Sequence, residues 1–169
     1  MKKNLLPAII VLAAIIAYLL LISHARELSK RSACQSNLHQ FDLALQANLG
    51  AKSTNYSARL SDVPDEDIAP MLFRCPSDPN GHIAATVKES DVTTSYIYVG
   101  GLPTNCPGDI PLIICPPKNH RNKGGNILFA NHECKWIPSP EIDRLIERTY
   151  AYAKSNNLRI VTRETAAKQ

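Results

Sequence analysis

Three cysteines and two histidines lie in one short part of the chain, and both residue types bind zinc in proteins. They are Cys106, Cys115, His120, His132 and Cys134. Their spacing is C-x8-C-x4-H followed later by H-x-C, which does not match the closely spaced ligand pairs typical of small zinc sites. The pattern therefore favours structural cysteines over metal ligands, and we predict no metal and no cofactor.

Two common classes of function, enzymes and nucleic-acid-binding proteins, receive no support from the sequence. Ser, His and Asp all occur, but no Ser is framed by glycines, and no nucleophile–base–orienter arrangement is visible. The net charge of +4 includes Lys2 and Lys3 at the N-terminus. The remaining 17 basic and 15 acidic side chains are spread along the chain without a basic patch. We predict neither catalytic residues nor a nucleic-acid partner.

An apolar segment near the N-terminus is long enough to cross a membrane. Residues Leu5 to Ile22 carry no charge, and a helix of this length covers about 27 Å, close to the thickness of a bilayer core. Ser23-His24-Ala25 resembles a signal-peptidase site, which is the alternative interpretation. The apolar run is longer than the roughly 7–15 residues usual in a signal peptide, so we predict an uncleaved anchor.

The flanking charges and the cysteines bear on the orientation of this anchor. Lys2 and Lys3 indicate a cytoplasmic N-terminus, although Arg26, Lys30 and Arg31 follow the span closely. Five cysteines suit an oxidising exterior. We therefore predict a single-pass inner (plasma) membrane protein, with the lipid bilayer as partner, a cytoplasmic N-terminus and an exported, periplasmic C-terminal domain.

The anchor is predicted to continue as an amphipathic helix through residues 23–50. No Pro or Gly interrupts residues 25–49, and Gly50 is suited to end the helix. A rod of about 45 residues would be about 65 Å long. Its predicted apolar stripe consists of Leu28, Cys34, Leu38, Phe41, Leu45 and Leu49. Another part of the chain must cover that stripe.

The remainder of the chain predicts a small antiparallel sheet and a final helix. Short β-prone runs lie at residues 94–99, 110–115, 126–130 and 133–137, and a helix is predicted from Ser139-Pro140-Glu141 onwards. The fold class is therefore α+β, with one face of the sheet covering the long helix. The predicted organisation of the chain is completed by a cytoplasmic N-terminus at residues 1–4, an exported domain at residues 51–158 and a flexible tail at residues 159–169.

The dipeptide Asn131-His132 separates two of these runs and predicts a β-hairpin. Asn tolerates the positive φ that such a turn needs, whereas His stands where Gly would be easier. Trp136 on the second run offers a large apolar surface. We predict that this hairpin has a structural role rather than a role as a site.

Three segments together resemble the prepilin-like proteins of planctomycetes and verrucomicrobia. They are ARELSKRSACQSNLHQFDLAL at 25–45, FRCPSD at 73–78, and His120 followed by NILFANHECKW at 126–136. That family carries a C-x-S-N-L pattern after its membrane helix, then C-P-S-D, then a His about nine residues before an Asp-Gly hairpin. Here Asn131-His132 replaces Asp-Gly, and the spacing from His120 is one residue longer.

The resemblance implies a pilin-like fold and a structural role in a type II secretion or type IV pilus-like envelope apparatus. Other pilin-like subunits would be partners through the N-terminal helix. Assembling members begin with G-F-T-L-x-E at the membrane entry, where this chain has Lys3-Asn4-Leu5-Leu6-Pro7 and no acid before Glu27. The alternative is a stand-alone, membrane-tethered binding domain that keeps the fold without assembling.

The same resemblance implies a disulfide between Cys34 and Cys75, because the family often has Cys at both places. A second bridge, Cys106–Cys115, is predicted from the Pro107-Gly108-Asp109 turn between them. Five cysteines cannot all pair, so Cys134 would remain a free thiol.

We predict that the protein keeps its N-terminus, because the processing motif is missing and the apolar run is long. The intact mass of the membrane-extracted protein should correspond to a chain that starts at Met1. A mature species that starts at Leu5 or Arg26 would contradict this prediction.

Overall fold

The first element of the fold is a single helix of 45 residues, α1, from Leu5 to Leu49. The structure is a computed structural model that describes residues 5–49, 53–64, 67–83 and 85–162. The continuous helix confirms the predicted rod, which is about 65 Å long at 1.5 Å per residue. The predicted cap at Gly50 and the predicted N-terminal segment 1–4 lie outside the described residues.

The first half of α1 is not buried against the described part of the domain. Its large apolar side chains between Ile9 and Leu21 are 50–68% exposed. Within the described residues α1 is the one helix long and apolar enough to cross a membrane, with a mean hydropathy of 2.5 in its most apolar window. An apolar surface of this kind is compatible with a single-pass membrane anchor.

The second half of α1 buries one stripe against the rest of the domain. Its buried members are Glu27, Cys34, Leu38, Phe41, Asp42, Ala44 and Leu45. Most of the predicted stripe is confirmed, but Leu28 is 47% exposed and Glu27 takes its place. Glu27 lies two helical turns before Cys34 and on the same face, whereas Leu28 is rotated from Glu27 by about 100°.

The sheet has five antiparallel strands in the order β4-β3-β2-β1-β5. The strands are β1 (Ile97–Gly100), β2 (Pro111–Ile114), β3 (Gly124–Phe129), β4 (Cys134–Pro138) and β5 (Arg159–Val161). The first four form the predicted meander. Strand β5 pairs with β1, although the sequence assigned its residues to a flexible tail. Residues 163–169 of that tail lie outside the described residues.

Helices cover both faces of the sheet, whereas the sequence predicted a helix on one face only. Helix α1 packs on β3, β4 and the 3₁₀ turn at Pro70–Phe73, whereas helix α3 (Glu141–Ser155) packs on the opposite face. The second face is a separate cluster of Ile97, Ile114, Ile127 and Ile142. A short helix, α2 (Ser90–Thr93), precedes β1. Two covering layers explain why β1 and β2 are buried at every position.

Phe41 tests the contact between α1 and the sheet. Its ring is fully buried and meets Phe73 and Tyr96 edge to face, at centroid distances of 4.8 and 5.8 Å. We expect Phe41→Ala to lower the free energy of unfolding by about 3–5 kcal/mol through lost burial and a cavity. The measurement is urea unfolding of the detergent-solubilised protein, followed by fluorescence of Trp136.

Leu43→Ala is the control on the same helix, because Leu43 is 66% exposed and should change stability by no more than about 0.5 kcal/mol. Equal effects of the two substitutions would contradict the packing.

Candidate metal centre

Four metal-ligating side chains meet at the contact between α1 and the sheet. They are Cys34, Cys75, Cys115 and His120, which we call the Cys3His cluster. Their ligand atoms all lie within 4.8 Å of one another, and all four residues are buried. Three sulfurs and one imidazole are soft ligands of the kind that select zinc, copper(I) or iron–sulfur groups.

Each member of the cluster comes from a different part of the fold. Cys34 lies on the buried stripe of α1, and Cys75 follows the 3₁₀ turn at Pro70–Phe73. Cys115 directly follows β2, and His120 is the last residue of the 3₁₀ turn Pro117–His120. Pro116 has extended φ and ψ and stands immediately before that turn, which therefore begins right after the strand and folds His120 back towards Cys115.

Strand β3 holds the backbone of Cys115 in place. The Cys115 N–H donates to the carbonyl of Asn126 at 2.8 Å. A Cβ added to Gly125 would lie 1.8 Å from the Cys115 carbonyl oxygen, so only glycine permits this approach of the two strands. Asn126 also donates from Nδ2 to the carbonyl of Arg31 at 2.9 Å, which joins the same strand to α1.

Polar groups point at all three sulfurs. The Ser77 N–H donates to Cys75 Sγ at 3.4 Å, and Asn119 Nδ2 donates to Cys115 Sγ at 3.6 Å. The Tyr96 hydroxyl lies 4.0 Å from Cys34 Sγ. Donors of this kind stabilise a thiolate relative to a thiol.

His120 joins the cluster to a buried carboxylate. Its Nε2 lies 3.4 Å from Cys75 Sγ, and its Nδ1 lies 3.2 Å from Glu27 Oε1. Arg31 Nε lies 3.9 Å from the same carboxylate oxygen. The His120 side chain is fully buried and that of Glu27 is 7% exposed, so solvent does not compete for this contact. The imidazole therefore presents one nitrogen to the sulfurs and the other to an acid.

Trp136 closes the outer side of this arrangement. Its ring meets the His120 ring edge to face at a centroid distance of 5.2 Å, and Arg31 Cζ lies 4.0 Å from its centroid. The resemblance to prepilin-like proteins linked His120 to the hairpin through their spacing; the structure places His120 in the cluster, with Trp136 of the hairpin against its ring. The hairpin thus supports the cluster through packing.

The three thiols of the cluster do not ionise alike. Hydrogen bonds from the Cys115 and Cys75 thiols lower the pKa of Cys34. Burial raises the pKa of Cys115 well above its ordinary value, and its hydrogen bonds to Cys34 and Cys75 raise it further. A cation between the three sulfurs would favour the thiolate form of each.

Neither predicted disulfide, Cys34–Cys75 or Cys106–Cys115, is formed in the structure, where all five cysteines are free thiols. Cys34 and Cys75 do come together, as two of the four members of the cluster. Cys106 and Cys115 are held apart by β2, whose residues Pro111–Ile114 extend by about 3.3 Å each away from the turn at Gly108. Of the five residues weighed as zinc ligands from the sequence, only Cys115 and His120 belong to the cluster. Burial raises the pKa of Cys134 to about 12, so it stays a thiol.

The hairpin turn is pinned to α1 by His132. The His132 N–H donates to the Phe129 carbonyl at 2.9 Å, and the positive φ of +68° falls on His132 rather than on Asn131. The His132 Nδ1 lies 2.8 Å from Asp42 Oδ1. The turn therefore has a structural contact and lies outside the Cys3His cluster.

Comparisons with protein-family models, with curated proteins and with solved structures found no match for this chain. The chemistry of the Cys3His cluster is therefore inferred from its own geometry.

We expect His132→Gly to change the free energy of unfolding by less than about 1 kcal/mol. Glycine adopts the positive φ without strain, which stabilises the variant. The loss of the contact with Asp42 destabilises it, and each effect is worth about 1 kcal/mol. The measurement is the same urea titration, with Asn131→Gly as the matched control because the φ of Asn131 is negative. A loss of the folded state in His132→Gly would contradict this near-cancellation of the two effects.

Proposed function

We propose that this protein is a membrane-anchored, pilin-like structural protein of a type II secretion or type IV pilus-like envelope apparatus. The observation that carries the proposal is the division of α1 into two halves. The first half is apolar and exposed on all sides, and the second half is the buried centre of a small α+β domain. An anchor that is also the central helix of its domain leaves little freedom between domain and membrane, which suits a subunit of an ordered assembly.

The proposed location is the inner (plasma) membrane, with the N-terminus in the cytoplasm and the domain exported to the periplasm. This orientation rests on Lys2 and Lys3 and on the resemblance to prepilin-like proteins. The cysteine content no longer supports it, because the five cysteines are free and three of them cluster with a histidine. Protease treatment of spheroplasts tests the orientation: degradation of the domain supports export, and full protection contradicts it.

A second candidate is a tethered domain that does not assemble, and one observation favours it. Glu27 is the first acidic residue in the chain, and its carboxylate faces His120 of its own domain. It is 6% exposed and therefore does not reach a neighbouring subunit. No other acid in the described part of α1 before residue 42 stands in for the Glu of the prepilin-like entry motif.

Cross-linking within the membrane distinguishes the two candidates. We expect Leu12→Cys, placed in a Cys106→Ser background, to give a disulfide-linked dimer in intact membranes if α1 packs against copies of itself. Leu12 is 59% exposed on the apolar half of α1, and Cys106 is the one native cysteine that is not buried. The products are measured by non-reducing electrophoresis after oxidation.

Leu43→Cys in the same background is the control, because Leu43 is equally exposed but lies on the domain. A dimer confined to Leu12→Cys supports the structural subunit, and monomers alone support the tethered domain. Release of the protein from membranes by alkaline carbonate would contradict both.

A further inference from the structure

We propose that Cys34, Cys75, Cys115 and His120 bind one Zn²⁺ ion through three thiolates and the Nε2 of the imidazole. The proposal concerns the domain alone and does not depend on how the protein is anchored or assembled. Zn²⁺ in structural sites takes four Cys or His ligands in a tetrahedron, with Zn–S near 2.3 Å and Zn–N near 2.0–2.1 Å. The cluster supplies this number and these types of ligand.

The distances fit a tetrahedron of that size. Neighbouring ligand atoms around a tetrahedral zinc ion lie about 3.5–3.8 Å apart, given those bond lengths. The Cys75 Sγ and His120 Nε2 atoms are 3.4 Å apart, and no pair among the four ligand atoms exceeds 4.8 Å. Binding therefore requires movements of about 1 Å or less, which side-chain rotations provide.

The same distances favour a single ion over an iron–sulfur cluster. A cluster places several iron and sulfide atoms between its cysteines, so that ligands on different irons lie further apart than they do around one ion. Four ligand atoms within 4.8 Å leave space for one ion only. Among single ions, a closed tetrahedral set with sulfur and imidazole ligands indicates zinc.

The surroundings of the cluster match those of a metal site. A ligating histidine usually gives its second N–H to a carboxylate, and this contact fixes the tautomer that leaves the other nitrogen free for the metal. Glu27 is placed to accept from His120 Nδ1 at 3.2 Å. The Ser77 N–H and Asn119 Nδ2 donate to two of the sulfurs, as befits thiolates that carry charge. Three thiolates give the zinc site a charge of −1, and Glu27 adds another, while Arg31 lies beside them.

A metal accounts for all four residues, whereas a disulfide does not. A Cys34–Cys75 bridge would leave the Cys115 thiol and the His120 Nε2 buried together without a function for either. Zinc uses every member, and the three thiols release their protons to solvent as they bind. Since the ligands come from residues far apart in the chain, the bound ion would join α1, the segment after Phe73 and the end of β2.

Metal analysis of the full-length protein, purified in detergent with a thiol reductant, tests the proposal. We expect one zinc per chain by plasma mass spectrometry. The variants Cys115→Ser and His120→Gln should bind zinc at least about tenfold more weakly in competition with a chelator. Cys106→Ser is the matched control, because it makes the same chemical change outside the cluster and should keep a full complement of zinc.

Two measurements keep the test decisive if the variants fail to fold. Cobalt(II) loaded into the unmutated protein should show tetrahedral d–d bands and thiolate-to-cobalt charge transfer with the intensity of three sulfurs. Glu27→Gln should retain that spectrum but bind zinc about 10–100-fold more weakly, because Glu27 acts through His120. Unmutated protein that holds no zinc and takes up none would overturn the proposal, as would a Cys34–Cys75 disulfide in peptide maps of protein purified without reductant, or full zinc retention in Cys115→Ser.

Discussion

The contact between the second half of α1 and the sheet is the interaction on which the rest of the structure depends. One helix meets two environments: its first half is apolar on every side, and its second half is apolar on one stripe only. That stripe is the centre of the main core, where Leu38, Phe41 and Leu45 are almost completely buried. Loop residues such as Leu60, Val87 and Leu102 belong to the same core, so the second half of α1 packs between the sheet and the loops.

The Cys3His cluster lies at the end of this contact that is nearer to the apolar half of α1. There the stripe changes from the apolar residues around Phe41 to Cys34 and the charged Glu27. Buried polar groups are costly unless they are paired, and here the His120 ring lies between Cys75 Sγ and Glu27 Oε1, one nitrogen facing each. A zinc ion at this point would fix the helix to the sheet where the hydrophobic contacts end.

Much of this architecture follows from the sequence, and what does not has clear causes. Helix α1 and strands β1–β4 are marked by periodicity and by turn residues, but β5 has only three residues, and the Asn156-Asn157 turn before it also marks the end of α3. The cluster was not predicted because Cys34, Cys75 and His120 become neighbours only through the register of the sheet and the rotation of α1. The spacing Cys115-x4-His120 was the one sign of the cluster in the sequence. It indicates a metal site only when Cys34 and Cys75 are known to lie beside these two residues. Glu27 was missed because Leu28, the adjacent apolar residue, suited the predicted stripe better.

X-ray absorption at the zinc edge tests the central claim most directly, since it reports the atoms around the metal in the intact protein. If the Cys3His cluster binds zinc, we expect three sulfurs at about 2.3 Å and one nitrogen at about 2.0–2.1 Å around the metal. The outer-shell scattering should be that of a single imidazole. A shell made only of oxygen and nitrogen, or one with fewer than three sulfurs, would contradict the claim that this cluster holds zinc and joins α1 to the sheet.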